Sequence, residues 1–546
     1  MANMASCVAA ADAPKMETSH DPSPWGEFFI AYEQQPLQRY EEWMIVRAGK
    51  LKDDVRMLYQ TCKNVMEKMM LVDAVQRLGI NHLFEEETNT ALKEIHESEF
   101  SSSNIHDVTL RFRLLRANGY WVSPDVFENF KDHNGCFNKD IHNDPRGLLG
   151  LYNASHLLIH GEPQLEEAIK FARHHLESMS SLESPLAQQV ERALLLPLPR
   201  TSKRVETLHY LSEYDQEKGH NPVLLELAKL DFNLIQHAHL EELKSISKWW
   251  KDLSRHIELN FVRDRLVENY LWASVPHYEE RFRLTRIMLT KLYILITIID
   301  DIFDVHATIE VSRKLYEATK RWEESAVTIL PEYLKKFYNE LLDIFKVMES
   351  EMLMDGNNND ITYLQRMLQL QCTNYIKEAE WVHQNHIPNF EDQVKMSTVT
   401  IGVPAACVCF MLGMGDAVPK GAIEWAAGIP DVILACGKIA RFTNDIAAFR
   451  RGRCKGDIAS SVECYMNENK VTRDVAVARI GSLMEHEWRT LNQARFGDRA
   501  MLPAIERVYD FSTSMLLFYG NGNEGFSNSK HVQKNVETFF IKPIPI

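Results

Sequence analysis

The sequence predicts an all-α protein built from two helical domains, and three observations favour that fold class. Glycine and proline are scarce, since 23 glycines and 20 prolines make up about 8% of the 546 residues, against about 12% in average soluble proteins. Apolar residues recur at helical spacing in several segments. The chain shows neither an alternating strand pattern of useful length nor an internal repeat. With 45% hydrophobic and 25% charged residues, it can bury a large core.

The helical period is clearest in three segments, each of which places its apolar residues on one face. These faces comprise Leu51, Val55, Leu58 and Cys62; Leu225, Ala228, Phe232 and Ile235; and Leu334, Phe337, Leu341, Ile344 and Met348. A start signal precedes the second segment, because Asn221 can cap a helix and Pro222 suits its first position. The pattern therefore predicts that a helix begins at residue 222.

The predicted domain boundary lies in a polar stretch, residues 215–220, that has no helical period. Residues 1–24 are rich in Ala, Ser, Asp and Pro, so they are predicted to form a flexible tail. The two domains are thus predicted to span residues 25–221 and 222–546.

Charge and cysteine usage restrict the partners and the compartment. The net charge of −15 argues against nucleic acid or an anionic membrane as a general partner. Nine scattered cysteines without paired CxxC spacing indicate reduced thiols. No signal core and no Arg-rich transit peptide is evident near the N-terminus, and the longest apolar stretches, 287–299 and 401–414, are too short to span a bilayer. A cytoplasmic protein without a membrane span is expected.

Three carboxylates follow a strongly apolar helical segment, and they are the first candidates for chemistry. Asp300 and Asp304 are four residues apart and share a helix face, with Asp301 beside Asp304. Such carboxylates repel one another unless a cation neutralises them, and hard oxygen ligands suit magnesium. The alternative is a solvated acidic helix end, which an isolated DDxxD motif does not exclude.

Two further elements surround this motif along the chain. Arg263 lies in an RxR pattern upstream, and a downstream helical stretch contains Arg441, Asn444 and Asp445. Taken singly, these residues are typical of surface salt bridges or local capping. Together they place two sets of oxygen ligands about 140 residues apart, each near an arginine.

With these elements, the chain resembles the plant class I terpene synthases from Trp25 to the C-terminus. The landmarks are Trp25-Gly26, Arg263-Asp264-Arg265, the DDIFDVHAT stretch from Asp300, the stretch Tyr375 to Trp381, Arg441 to Asp445, and Ser460 to Met466. The resemblance implies an N-terminal α-barrel without its own catalysis and a C-terminal class I terpenoid synthase helical bundle. It also implies a prenyl diphosphate substrate and three Mg²⁺ ions, for which Mn²⁺ is expected to substitute. A monomer is expected.

The resemblance assigns roles to individual residues. Asp300 and Asp304 match the first magnesium-binding element, and Asp301 matches a neighbouring orienting carboxylate. Arg263 and Arg441 match diphosphate-binding arginines. Trp272 and Tyr519 match aromatic residues that line the substrate cavity of the family, although ordinary core packing would also explain them. The stretch 520–526 matches a loop that closes over the substrate.

The second metal element departs from the family pattern. The positions at which the family has three oxygen ligands are Asn444, Ala448 and Gly452 here, so Asn444 alone remains as a side-chain ligand. A shift by one residue, to Asp445, Phe449 and Arg453, is no better. Either the third Mg²⁺ is held by diphosphate and water, or another charge replaces it. Arg451, seven residues after Asn444, is a candidate on the same face, against the alternative of a solvated surface charge.

These features predict a magnesium-dependent sesquiterpene synthase that acts on farnesyl diphosphate. The missing transit peptide and the absence of an arginine pair before Trp25 favour this substrate over geranyl diphosphate, the monoterpene alternative. The degenerate second element keeps open a weak synthase or a non-catalytic helical binding protein. Neither a general base nor the product follows from the sequence.

Overall fold

The computed structural model describes residues 22–32, 38–179, 181–451, 459–520, 524–526 and 528–546. Most of the predicted tail, Gly452 and residues 521–523 of the predicted closing loop therefore lie outside the described residues. Within the described ranges the chain forms helices and no strand, with one isolated bridge between Lys131 and Phe137. The all-α prediction is confirmed.

Ten α-helices occupy the first half of the described chain. They are α1 (Phe28–Ala31), α2 (Gln38–Thr61), α3 (Val65–Arg77), α4 (Glu85–Glu97), α5 (Ile105–Ala117), α6 (Pro145–Ser155), α7 (Pro163–Ser178), α8 (Leu186–Leu195), α9 (Lys203–Gln216) and α10 (Pro222–Ile257). Helix α10 begins where the sequence predicts, and the Asn221 side chain accepts a hydrogen bond from the Val223 backbone N–H at 2.9 Å.

Thirteen further α-helices follow in the described second half. They are α11 (Leu266–Ser274), α12 (Arg283–Asp301), α13 (Ile309–Arg321), α14 (Glu332–Met354), α15 (Thr362–His383), α16 (Phe390–Thr400), α17 (Val403–Met414), α18 (Ala422–Ala427), α19 (Asp431–Arg451), α20 (Ser461–Asn469), α21 (Arg473–Ala494), α22 (Leu502–Tyr519) and α23 (Lys530–Val536).

The chain forms two compact units. The N-terminal unit comprises Gln34–His237, Trp488–Glu506 and Lys542–Ile546, and the C-terminal unit comprises Ala238–Glu487, Arg507–Ile541 and the described residues among 1–33. The change of unit at residue 237 falls inside α10, whereas the sequence places the domain boundary at residue 221. The domain bounds 25–221 and 222–546 stay a prediction.

Each unit has its own apolar core. In the N-terminal unit, buried residues such as Phe112, Leu115, Leu148 and Leu151 pack in one cluster. The predicted apolar faces of α10 and α14 are buried, while on α2 Leu51 and Val55 are buried and Leu58 and Cys62 are half-buried. Packing of these faces supplies most of the helical stability, because isolated helices are marginal in water.

One apolar stretch of the C-terminal unit, Phe390–Ala417, has the length and composition of a membrane-spanning helix. Within the fold 78% of its most apolar window is buried, which is typical of a core segment. The stretch is also broken at Ile401 and Gly402, where α16 ends and α17 begins. Gly402 has φ +86°, a conformation that favours glycine, so the break depends on this residue.

Candidate active site

The C-terminal unit encloses a cavity of about 320 Å³, and α12 forms one of its walls. Tyr293, Ile296, Thr297, Asp300 and Asp304 all line this cavity. These positions recur at helical spacing, and a rise of 1.5 Å per residue puts Tyr293 and Asp300 about 10 Å apart along the helix axis. The wall thus changes from apolar and aromatic side chains to carboxylates along α12.

The carboxylate end of α12 has a local change of winding. The helix ends at Asp301 and continues into one π-helical turn, Ile302–His306, which contains Asp304. Single π turns occur often at functional sites, because they change the direction in which side chains project. Asp300 and Asp304 both line the cavity, whereas Asp301 is buried behind them, with 2% of its surface exposed.

Arg263 lies against these carboxylates. Its guanidinium forms an ion pair with Asp300, and its Nε lies 2.9 Å from an oxygen of Asp301. The Arg263 backbone N–H also donates to Asp301 at 3.0 Å. These contacts of Asp301 hold Arg263 in position, and the role of Asp301 in the reaction stays a prediction.

The carboxylates at this end of the cavity have raised pKa values. Burial, together with the neighbouring Asp300 and Glu378, raises the pKa of Asp304 well above its usual range. Burial raises the pKa of Asp301 to about 6, although Arg263 opposes the shift. Burial also raises the pKa of Glu378 on α15 to about 7, against the opposing effect of Arg441. The arginines present leave this group of carboxylates short of positive charge.

The second element lies on α19 and lines the same cavity. Arg441 donates to Asn444 at 3.3 Å and to Asp445 at 3.4 Å, and its Nε donates to the Ser397 carbonyl at 3.2 Å. These bonds are long, so the guanidinium is held more loosely than that of Arg263. Asp445 accepts a 2.7 Å hydrogen bond from the Ser461 backbone N–H, which ties α19 to the start of α20.

The departure from the family pattern is visible on this wall. Ala448 lines the cavity one helical turn after Asn444 and offers no ligand atom. The side chain of Arg451 and the whole of Gly452 lie outside the described residues. Among the described residues, no group of three or more His, Cys, Asp or Glu side chains has the arrangement of a complete metal site.

Aromatic side chains form another part of the cavity wall. Trp272 stacks on Phe518 with ring centroids 4.5 Å apart, and it meets Tyr519 edge-on at 5.7 Å. The Trp272 Nε1–H donates to Ser514 at 3.1 Å, which fixes the indole. Both predicted aromatic residues therefore line the cavity as well as packing against neighbours.

The segment Glu524–Phe526 lies beside the arginine element. The Phe526 carbonyl accepts a 2.8 Å hydrogen bond from the Arg265 Nε, and the Phe526 ring centroid lies 5.5 Å from the Arg263 guanidinium carbon. The Gly525 N–H donates to the Phe518 carbonyl at 2.8 Å. A Cβ at Gly525 would approach Val532 to 2.7 Å, so this close packing requires glycine.

Comparison with known proteins identifies the family. Residues 251–490 match the terpene synthase family, metal binding domain, and residues 24–194 match the terpene synthase, N-terminal domain. The chain belongs to the terpene synthase family. It is a class I terpene synthase, a lyase that acts on a prenyl diphosphate and uses a divalent metal.

Two curated relatives and one solved structure resemble this terpene synthase along almost its whole length. Tau-cadinol synthase of Zea mays is 47% identical and covers 96% of this chain and 97% of its own. Alpha-copaene synthase of Zea mays is 45% identical, covering 96% and 99%. Isoprene synthase from grey poplar (Populus x canescens), crystallised with three Mg²⁺ ions and dimethylallyl-S-thiolodiphosphate, has a TM-score of 0.85 at 29% identity and covers 96% and 99%.

The structure brings most of the predicted site residues of this terpene synthase to one cavity. Its wall includes Asp300, Asp304, Arg263, Arg441, Trp272, Tyr519, Asn444 and Asp445. The lining residues to which sequence reasoning gave no role include Asn269, Tyr293, Glu378 and Glu463. Glu378 and Glu463 belong to landmark stretches of the family, so a helical projection of those stretches could have found them. Nothing in the sequence distinguishes Tyr293 from a core tyrosine.

Proposed function

We propose that this terpene synthase makes a sesquiterpene from farnesyl diphosphate. The two relatives above, tau-cadinol synthase and alpha-copaene synthase, support this substrate, since they are named for sesquiterpene products. The observation on which the mechanism depends is the excess of buried carboxylate at one end of the cavity. Geranyl diphosphate is the alternative substrate.

The residues present fit the metal that the family implies. Asp304 is a carboxylate whose pKa is raised by burial, by Asp300 and by Glu378, and a bound cation would reverse that penalty. Asp300 and Asp304 would hold Mg²⁺ at the first element, and Asn444 would hold it at the second. The metal, when bound, neutralises the diphosphate and so favours its departure.

The side chains of the protein perform the remaining tasks. Arg263 and Arg441 offer guanidinium donors to the diphosphate oxygens, a geometry in which arginine is strong. Each already pairs with a neighbouring carboxylate, which is Asp301 behind the cavity wall for Arg263 and Asp445 on the wall for Arg441. Positioning before the substrate arrives lowers the reorganisation needed when the carbon–oxygen bond breaks.

The aromatic wall supports the second half of the reaction. Breaking the bond leaves an allylic carbocation, and the faces of Trp272, Tyr519 and Phe526 can stabilise a cation without reacting with it. Phe526 lines the cavity beside Arg263, where its ring would limit the access of water. Cyclisation or rearrangement ends by proton loss or by capture of water.

The second element supports a weaker hold on the third Mg²⁺. Asn444 lines the cavity, but Ala448 supplies no oxygen, so a third Mg²⁺ would depend on diphosphate and water for its remaining ligands. A role of Arg451 in compensating this charge stays a prediction, as do the substitution of Mn²⁺ for Mg²⁺, a monomeric state and a cytoplasmic location.

The test is a substrate comparison. Purified protein is incubated with Mg²⁺ and farnesyl or geranyl diphosphate, and the volatiles are analysed by gas chromatography and mass spectrometry. We expect kcat/KM for farnesyl diphosphate to exceed that for geranyl diphosphate at least tenfold. A preference for geranyl diphosphate would establish a monoterpene synthase. No product above the control without enzyme would establish the non-catalytic alternative.

A further inference from the structure

An aromatic stack joins the segment that carries Arg263 to the turn that carries Asp304. The ring of His306, the last residue of the π-helical turn, lies 3.6 Å from the ring of Phe261, centroid to centroid, and the two planes differ by 8°. Phe261 lies between α10 and α11, two residues before Arg263, and His306 follows Asp304 by two residues. Neither ring is among the described residues that line the cavity. The stack therefore supports both elements without reaching the substrate.

The π-helical turn is tied to other segments through His306. The turn closes with a hydrogen bond from the Ala307 N–H to the Ile302 carbonyl at 2.9 Å, and turns of this kind are rare. The His306 ring stacks on Phe261 and also meets the Tyr333 ring of α14 edge-on, with centroids 5.6 Å apart. The position of the turn thus depends on aromatic contacts with two other parts of the C-terminal unit.

The polar contacts between the same two segments change when metal and diphosphate bind. Within the chain, the Arg263 guanidinium pairs with Asp300 and Asp301. Under the proposed function the guanidinium donates to the diphosphate and Asp300 faces Mg²⁺, so the ion pair between Arg263 and Asp300 weakens. The stack of His306 on Phe261 does not depend on that ion pair. It can therefore keep the two segments at one spacing while their charges find new partners.

We propose that His306 is a positioning residue, which holds Arg263 and the carboxylates of the turn in register through its stack on Phe261 and so strengthens the binding of Mg²⁺ and diphosphate. This inference rests on the proposed function. Groups that are already in place lose less freedom when the ligand binds, and small displacements of such groups are costly. The flat face of the ring performs the task. His306→Phe retains such a face, whereas His306→Ala does not.

The experiment measures binding without turnover, by isothermal titration calorimetry of inorganic pyrophosphate in excess Mg²⁺. The wild type is compared with His306→Ala, His306→Phe, Phe261→Leu and the control His175→Ala. The control removes an imidazole that stacks on His142 with ring centroids 4.3 Å apart, in the N-terminal unit. Initial rates with farnesyl diphosphate give the Mg²⁺ concentration for half-maximal turnover, and differential scanning fluorimetry gives the melting temperature.

We expect His306→Ala and Phe261→Leu to raise the Kd for pyrophosphate about fivefold or more, and to raise the half-maximal Mg²⁺ concentration as well. His306→Phe should bind within about twofold of the wild type, which separates positioning by the ring from a general loss of structure. His175→Ala should bind as the wild type does, even where its melting temperature falls. Should His306→Ala fail to fold, Phe261→Leu and His306→Phe decide.

Three outcomes would overturn the inference and leave the proposed function standing. The first is wild-type affinity in a folded His306→Ala or in Phe261→Leu. The second is a fivefold loss in His306→Phe, which would assign the role to the ring nitrogens. The third is an equal loss in His175→Ala, which would make the effect a general one. A wild type that neither binds pyrophosphate nor consumes farnesyl diphosphate would overturn both the inference and the proposed function.

Discussion

Each unit of the protein contains a cavity lined by arginines and carboxylates, and the two cavities differ in how their charges balance. The cavity of the N-terminal unit has a volume of about 500 Å³, and that of the C-terminal unit about 320 Å³. Both combine these charged groups with apolar and aromatic side chains. Composition alone therefore does not distinguish the reactive cavity from the other.

In the N-terminal unit the charges pair with one another. Arg113 lies 2.6 Å from Asp73, and both Arg77 and Arg192 lie 2.8 Å from Glu206. These arginines hold the pKa values of Asp73 and Glu206 below their usual range, although burial opposes the shift. Glu213, which pairs with Arg192 at 2.7 Å, differs because burial raises its pKa. The network is largely satisfied within the chain.

In the C-terminal unit the carboxylates outnumber their partners. The pKa values of Asp301, Asp304 and Glu378 are raised by burial, and neighbouring carboxylates add to the shift. Aspartate and glutamate side chains thus have raised pKa values at the cavity of the C-terminal unit, whereas Asp73 and Glu206 at the cavity of the N-terminal unit have lowered ones. The difference indicates that uncompensated carboxylate charge distinguishes the candidate metal site in the C-terminal unit from the paired network in the N-terminal unit.

The largest expected effect comes from removing one uncompensated carboxylate. Asp304→Asn should lower kcat with farnesyl diphosphate at least 100-fold, because the metal loses a charged ligand. The melting temperature should be equal to or above that of the wild type, since repulsion with Asp300 and Glu378 is relieved. Steady-state kinetics and differential scanning fluorimetry measure the two effects. A fall in both quantities would point to a structural carboxylate.

Removing a carboxylate from the paired network of the N-terminal unit should lower stability and leave kcat unchanged. Glu206→Gln leaves the charges of Arg77 and Arg192 without their shared partner, which we expect to cost about 3–5 kcal/mol. The kcat of the folded enzyme should be unchanged. Urea unfolding followed by tryptophan fluorescence, with kinetics at low urea, checks both expectations. Equal free energies of unfolding for the variant and the wild type would mean that the charges around Glu206 are not balanced by ion pairing.

The two units should respond to pH in opposite directions. The pKa values of Asp301 and Glu378, about 6 and about 7 in the folded protein, exceed those of the unfolded chain. The folded state then binds more protons, so the stability contributed by these groups falls as pH rises from about 4 to 7, by about 1.4 kcal/mol per pKa unit. Asp73 and Glu206 have lowered pKa values, so their contribution is present above about pH 4.5 and is lost as pH falls below it.

Hydrogen exchange resolved by peptide separates these responses. Peptides from α15 in the metal-free protein should be more protected at pH 5.5 than at pH 7.5, after correction for intrinsic exchange. Peptides from α9 should show equal protection over that range and lose it below about pH 4.5. Parallel behaviour of both helices would mean that global unfolding, and not local charge balance, controls the exchange.

The smallest expected effect concerns the second metal element, in which Ala448 and Gly452 stand where the family has oxygen ligands. Restoring both missing ligands in Ala448→Ser with Gly452→Glu should lower the Mg²⁺ concentration for half-maximal turnover about threefold to tenfold. Ala448→Ser alone should give a smaller change, because a hydroxyl is a weaker ligand than a carboxylate. Mg²⁺ titrations of initial rate measure this. A half-maximal concentration equal to that of the wild type would show that the departure is neutral.

The sequence predicts the fold class and most of the cavity wall, because both depend on local patterns. Apolar periodicity marks the buried faces of α10 and α14, and the aspartates at the end of α12 form a recognisable motif. The π-helical turn at Ile302–His306 could not be predicted, since no local pattern in the sequence marks it. The same holds for Asp301, which lies behind the cavity wall although its sequence neighbour Asp300 lines it.

Long-range placement accounts for the other residues that the sequence did not reveal. Glu378 contributes to the charge excess because α15 packs against the π-helical turn that contains Asp304, and its effect on Asp304 depends on distance in space. Patterns in sequence identify ligands, and packing determines which of them remain uncompensated.

The most direct test of the charge deficit is the uptake of Mg²⁺ in the presence of inorganic pyrophosphate. Equilibrium dialysis followed by elemental analysis counts the ions bound to the wild type, Asp304→Asn and Glu206→Gln. We predict that the wild type and Glu206→Gln bind the same number of ions, at least two per chain, and that Asp304→Asn loses at least one. Equal uptake by all three proteins would contradict the account, because the carboxylate excess at Asp304 would then have no role in binding the metal.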